Sequence, residues 1–221
     1  INSNFLNNMW GFLMTLIMNL LTIFGFILLD IASRRYSRIN KGVGKVLQVM
    51  KWNTPLAMVC SSSGDIFFYS SLQFQSSPLD SVASIVCFIV CILMIILVVA
   101  LFVVTLKIMQ SYRVQKKKSP QKEVQEGEDW KDKWATCEIL FVEYEETALL
   151  SVGYMALFIL RGVIFNLTIA NLYNFPLIQS IIINLANILM FGYLLYLRPL
   201  KELLGIIQLF VTEGIVNIGS T

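Results

Sequence analysis

Sixteen of the 17 Lys and Arg residues fall in three stretches, 34–51, 107–133 and 198–201, and these stretches separate long uncharged runs. Trp10 to Leu29 is twenty residues interrupted only by Asn19 and two threonines, and Val82 to Leu106 is 25 residues with no charge. At about 1.5 Å per helical residue, each reaches the roughly 30 Å of a bilayer core. A soluble domain of this size averages about 45–50% apolar and about 25% charged residues. Here the values are 57% and 14%, with a mean hydropathy of +0.71. The pattern predicts an all-α polytopic membrane protein.

Basic residues in short loops stay on the cytoplasmic side, so their distribution orients the chain. The first span, Trp10–Leu29, is followed by Asp30, Arg34, Arg35, Arg38, Lys41, Lys45 and Lys51, which places Ile1 outside. Val46–Val59, with Trp52 and Pro55, reads as an interfacial helix leading into a second span that ends near Gln73. That span carries Ser61-Ser62-Ser63-Gly64-Asp65 and either crosses or re-enters. The third span, Val82–Leu106, ends in Lys107, Arg113 and Lys116-Lys117-Lys118, so its end is inside and the second span must cross. Ala148 to Ile169, Pro176 to Leu197 and a stretch from Leu203 complete six spans, with Arg198-Pro199-Leu200-Lys201 again inside. Five spans would strand a basic loop outside.

Three regions follow: 1–106 with the first three helices and a basic inner loop, 107–147 as a polar cytoplasmic loop, and 148–221 with helices four to six. In the loop a basic half gives way to Glu123, Glu126, Glu128, Asp129 and Asp132, which is the composition of a solvated loop or a frayed helix extension. Trp130 and Trp134, spaced i, i+4, point to one short interfacial helix. Ile1 in place of Met and an apolar run at Thr221 lead us to expect a segment of a longer chain.

Arg161 is the one basic residue outside the three stretches, and it sits within the fourth span. An ionised side chain at mid-bilayer costs about 2.5–3.5 kcal/mol on insertion scales, so it calls for a partner or for water. Asp65 and Glu213 are the acids at similar depth. Two readings stay open: a charge network of Asp65, Arg161 and Glu213 in a gate or hydrated crevice, or a static ion pair that fixes packing. A single arginine is not a voltage sensor, which needs several positive charges on one helix. Asn19, Gln179, Asn184 and Asn187 are candidates for polar contacts between helices, worth about 0.6 kcal/mol each in lipid.

The chain has no histidine and four cysteines, with no CxxC pair. Cys87 and Cys91, one turn apart, read as packing residues. No phosphate-binding loop, nucleophile triad or metal-ligand set occurs, so neither an enzyme nor a cofactor is expected. Glu143, Glu145 and Glu146 read as helix-start acids, with cation binding as the alternative. Asn166-Leu167-Thr168 matches the glycosylation pattern but lies within a span, out of the transferase's reach. The glycines give a weak packing signal, with no tight GxxxG pair in spans two to six. The formal charge of +3 comes from residues flanking apolar spans, which argues for anionic lipid headgroups as partners and against nucleic acid.

Phe158-Ile159-Leu160-Arg161-Gly162, Asn174-Phe175-Pro176-Leu177-Ile178-Gln179 and Tyr196-Leu197-Arg198-Pro199-Leu200-Lys201, with Lys51-Trp52-Asn53 and the later Asp65, carry a resemblance. They resemble the C-terminal multi-span region of large ciliate surface proteins, related loosely to transient-receptor-potential and polycystin-like domains. An Arg-Arg pair usually stands there where this chain has Arg161-Gly162, so a role needing both charges does not carry over. The resemblance implies a channel-like or receptor-like transmembrane domain in the plasma or ciliary membrane, with spans two to five as a sensor-like bundle. The alternative is a structural subunit or anchor, packed with other membrane subunits or with itself, in an organelle membrane.

Overall fold

The computed structural model describes residues 5–33, 37–76, 81–118, 133–141, 149–197 and 211. Among them the secondary structure is helical throughout: α1 (Phe5–Ser33), α2 (Ser37–Ser61), α3 (Ser63–Ser76), α4 (Val82–Lys118), a 3-10 segment (Ala135–Leu140), α5 (Leu149–Val152), α6 (Tyr154–Asn171) and α7 (Pro176–Leu197). Four helices are long and apolar enough to cross a membrane: α1, α4, α6 and α7. The protein is membrane-embedded and all-helical.

The second span takes a form that hydropathy alone does not show. The α2–α3 pair is one helix with a soft joint at Ser62. The Ser62 N–H donates to the Met58 carbonyl (3.1 Å) and the Ile66 N–H to the Ser62 carbonyl (3.0 Å), so the hydrogen-bond ladder passes through the joint. On either side, the hydroxyls of Ser61 and Ser63 donate back to the carbonyls of Met58 (2.9 Å) and Cys60 (2.8 Å). Such back-bonding satisfies a hydroxyl in lipid and bends a helix. Pro55, within α2, removes a further N–H from the ladder. A similar joint lies at Gly153 between α5 and α6, where the ladder continues through Gly153 N–H to Leu149 O and Leu157 N–H to Gly153 O.

Contacts at the two ends fix the helix directions. At one end the buried Phe5 N–H donates to Gln73 Oε1 (2.8 Å), the rings of Phe74 and Phe88 meet edge to face, and Gln75 Nε2 donates to the carbonyl of Ala170 (3.2 Å) and to Asn171 Oδ1 (3.0 Å). The start of α1, the end of α3, the start of α4 and the end of α6 therefore lie together. At the other end Met109 packs on Gly153, Trp134 Nε1 donates to Ser111 Oγ (3.1 Å), and the 3-10 segment packs on α2. The helices alternate in direction, and α2–α3 runs the full length of the bundle beside the others. Described Lys and Arg residues outside α6 belong to the second end.

Replacing Gln73, which is 1% exposed, with leucine leaves the Phe5 N–H buried without its acceptor. The expected cost is about 1–3 kcal/mol. It would be read as a lower unfolding temperature in detergent, with chymotrypsin cutting first at the freed N-terminal helix, which carries Phe5, Trp10 and Phe12. Wild-type melting in the variant would show that this clasp contributes nothing.

The helix α4 continues twelve residues past Leu106, across the expected 106/107 boundary and into the polar region. No Gly or Pro occurs before Pro120, and Lys and Arg in the last turns complement the macrodipole. Of the expected Trp130/Trp134 helix, Trp134 leads directly into the 3-10 segment, while Trp130 lies outside the described residues. The fifth span matches α7 end to end, with Pro176 at its first position, where a missing N–H is harmless. The sixth span lies outside the described residues except for Val211.

The core runs along α4. Cys87, Cys91, Met94, Val98, Leu101, Thr105, Ile108 and Tyr112 are all buried, and their steps of three and four trace one helical seam. Against it pack Val59, Cys60 and Ile66 from α2–α3 and Ile159 from α6. Cys60, Cys87 and Cys91 are buried.

Candidate functional site

Where α3 passes α6, no side chain separates the two backbones. A Cβ on Gly64 would strike Asn166 Nδ2 and come within 3.1 Å of the Gly162 carbonyl oxygen. Asn166 Nδ2 donates to that same carbonyl (3.0 Å), one turn back on its own helix. The glycines that the sequence offers only as scattered residues thus form a pair across two helices. The signal that could have found it is the match of Gly64 beside Asp65 with Gly162 beside Arg161, two small residues flanking the two charges.

This close approach places Asp65 and Arg161 on the lining of one crevice. Phe158, Arg161, Gly162, Phe165 and Asn166 share one face of α6, at i, i+3, i+4, i+7 and i+8. With Ser61, Ser63, Gly64 and Asp65 they line an open crevice of about 260 Å³. A smaller apolar pocket of about 110 Å³ lies between α3, α4 and α6, lined by residues including Phe67, Phe102 and Ile159.

Depth follows from helix geometry. Arg161 is ten residues short of Asn171, Asp65 is ten short of Gln75, and Asn187 is eleven beyond Pro176. At about 1.5 Å per residue, all three lie roughly 15 Å from the end of the bundle where these helices meet, at half a bilayer core. Arg161 Nη2 donates to Asn187 Oδ1 (2.9 Å), bridging α6 to α7, and Asn187 is fully buried. Asp65 is exposed to the crevice.

The other expected residues separate. Glu213, and with it any Arg161–Glu213 pair, lies outside the described residues, as do Glu143, Glu145 and Glu146. Asn187 joins two helices, whereas Asn184 Nδ2 donates to Ser180 Oγ (3.2 Å) within α7. The Gln179 backbone N–H donates to the Phe175 carbonyl (3.0 Å) in the first turn of α7. Asn19 Oδ1 is buried with no hydrogen-bond partner among the described residues. Asn166 of the glycosylation-like triplet points into the helix seam. Among the described residues no three His, Cys, Asp or Glu side chains converge to hold a metal.

The architecture and the crevice define a membrane-embedded helical bundle with opposite charges at mid-depth. No protein-family model, curated protein or solved structure matches the chain.

Proposed function

We propose that this chain is the transmembrane domain of a channel-like or receptor-like surface protein, with its N-terminus outside and six crossings. The observation that carries the reading is the open crevice holding Asp65 and Arg161 about 15 Å deep in the bundle. A charge at that depth is expensive in lipid, and an ionisable residue there is a functional-site hypothesis by default. The alternating helices and the gathering of basic residues at one end support the orientation, since that end is then cytoplasmic. The basic end of α4 would meet anionic headgroups, and the plasma or ciliary membrane is the host that the family resemblance implies.

Orientation is tested by cysteine labelling in intact cells, on a background with Cys137 replaced by serine. Tyr173→Cys in the α6–α7 turn (68% exposed) is expected to react with a membrane-impermeant maleimide added outside. Val114→Cys near the end of α4 (52% exposed) is expected to react only after permeabilisation. The reverse pattern overturns the topology. Function is tested by recording currents from cells expressing the full-length protein, wild type beside Asp65→Asn and Arg161→Gln. Currents altered by both variants support the channel-like reading.

A structural-subunit reading draws on one observation. The outer face of α7 is strongly apolar and exposed, with Leu177 at 72% and Leu189 at 65%. That face suits lipid, a second copy or another subunit. Copurification at fixed stoichiometry with other membrane proteins, without current, would favour it.

A further inference from the structure

We propose that the crevice between α3 and α6 is a binding site for a small zwitterion, an ammonium and an acid group on a short frame with an apolar side chain. This rests on the receptor-like reading and names the ligand class for it.

The site contains one charge of each sign. Asp65 on α3 is exposed to the crevice, and Arg161 on α6 stands across it. A ligand carrying a single charge meets one attractive and one repulsive group, whereas a zwitterion answers both. The apolar lining comes from Phe158 and Phe165, seven residues apart on the same face of α6 and flanking Arg161. Their rings suit an apolar side chain, and an aromatic face also attracts an ammonium group. Ser61 and Asn166 add polar groups at the rim and seam.

The floor is preformed. The Gly64–Gly162 crossing sets the spacing of the two helices, and the Arg161–Asn187 hydrogen bond orients the guanidinium from behind, on α7. A site whose charges are held before the ligand arrives loses less ordering entropy on binding. The volume of about 260 Å³ has room for an amino acid of moderate size. The same chemistry is presented by the headgroup of phosphatidylethanolamine, so the source is settled by the arms of the experiment.

The experiment uses the full-length protein in phosphatidylglycerol nanodiscs, which hold no zwitterionic lipid. Three probes are compared at 10 mM: phenylalanine, phenethylamine with only the ammonium, and 3-phenylpropionate with only the carboxylate. Phenylalanine is expected to raise the unfolding midpoint by about 2–4 °C, and each single-charge analogue by less than half of that. Asp65→Asn and Arg161→Gln are each expected to abolish the shift. Should either fail to yield monodisperse protein, Ser61→Leu, a change at an exposed rim position, blocks the crevice without touching the charges and is expected to do the same. If phosphatidylethanolamine nanodiscs raise the midpoint and remove the phenylalanine response, the headgroup is the occupant and the zwitterion assignment stands. No shift with phenylalanine in phosphatidylglycerol and none with phosphatidylethanolamine overturns it, as does a shift equal to that of phenethylamine or surviving Arg161→Gln. These outcomes leave the labelling and current measurements untouched, so failure of the ligand class and failure of the receptor-like reading are told apart.

Discussion

Gly64→Ala is expected to destabilise the bundle by about 1–3 kcal/mol, the range for overpacking a filled interior, while Gly162→Ala stays within about 1 kcal/mol of wild type. The two glycines face each other, yet their surroundings differ. A methyl group on Gly64 runs into the Asn166 amide and stands 3.1 Å from the Gly162 carbonyl, so a side chain and a backbone must both give way. Moving Asn166 aside also breaks its hydrogen bond to that carbonyl. A methyl group on Gly162 meets the Gly64 backbone and Ser63 Oγ at 3.9 Å, which is ordinary contact, and alanine is the better helix former. On a background with the partly exposed Cys137 replaced by serine, buried Cys60, Cys87 and Cys91 are built-in reporters, because a thiol-reactive dye reaches them only when the bundle opens. The dye midpoint is expected to fall in the order wild type, Gly64→Ala, Gly64→Leu. Equal midpoints for Gly64→Ala and Gly162→Ala would remove the helix crossing as a feature of the fold.

That asymmetry also shows where sequence reasoning reaches its limit in a membrane protein. The apolar runs and basic stretches are legible because hydropathy and charge are the quantities a bilayer sorts, and α7 was bounded to the residue by Pro176 and Leu197. The inward face of α4 was not legible. In water the polar side of a helix marks the outside, but α4 is apolar all round, so no contrast separates Cys87, Cys91 and Val98 from Ile89, Leu93 and Ile96. Packing volume decides instead, and volume depends on the partner helix. The second span posed the opposite difficulty. Its serines, Asp65 and Gln73 lower the hydropathy, yet Ser61 and Ser63 satisfy their own hydroxyls through the helix backbone, Gln73 caps α1, and Asp65 faces the crevice. Each of these four polar groups has a local account that composition averages away.

The candidate site was half legible for a related reason. Depth along a span can be counted from its ends, which singles out Asp65, Arg161 and Glu213 as charges near one level, Glu213 lying outside the described residues. Which faces Asp65 and Arg161 occupy depends on the rotation of each helix about its axis, and that is set by the Gly64–Gly162 contact. Asn187 was visible as a polar residue in a span, but its pairing with Arg161 across the α6–α7 hairpin follows from where Tyr173 and Asn174 turn the chain.

The Arg161–Asn187 bond decides between the two readings of the buried arginine, a hydrated crevice and a static clamp. Asn187→Leu takes away an acceptor for a charged donor, a loss of about 1–3 kcal/mol or more where that donor is then left without water. Arg161→Met removes the charge and leaves the Asn187 amide, fully buried, to lose its guanidinium donor. In the double variant both sides are apolar, so the combined cost is expected to fall short of the sum. The size of that shortfall is the informative quantity. Neutral hydrogen bonds between membrane helices average about 0.6 kcal/mol, whereas bonds to charged groups in proteins run at about 1.5–3 kcal/mol. Coupling in the upper range places the guanidinium away from water, where the bond to Asn187 holds α6 against α7. Coupling near the lower value means that water in the crevice already solvates Arg161, and that the Asp65 side of the site is open to whatever enters. Since the crevice is open and Asp65 is exposed within it, the lower value is the expected one, measured as the difference of dye midpoints across the four proteins of the cycle.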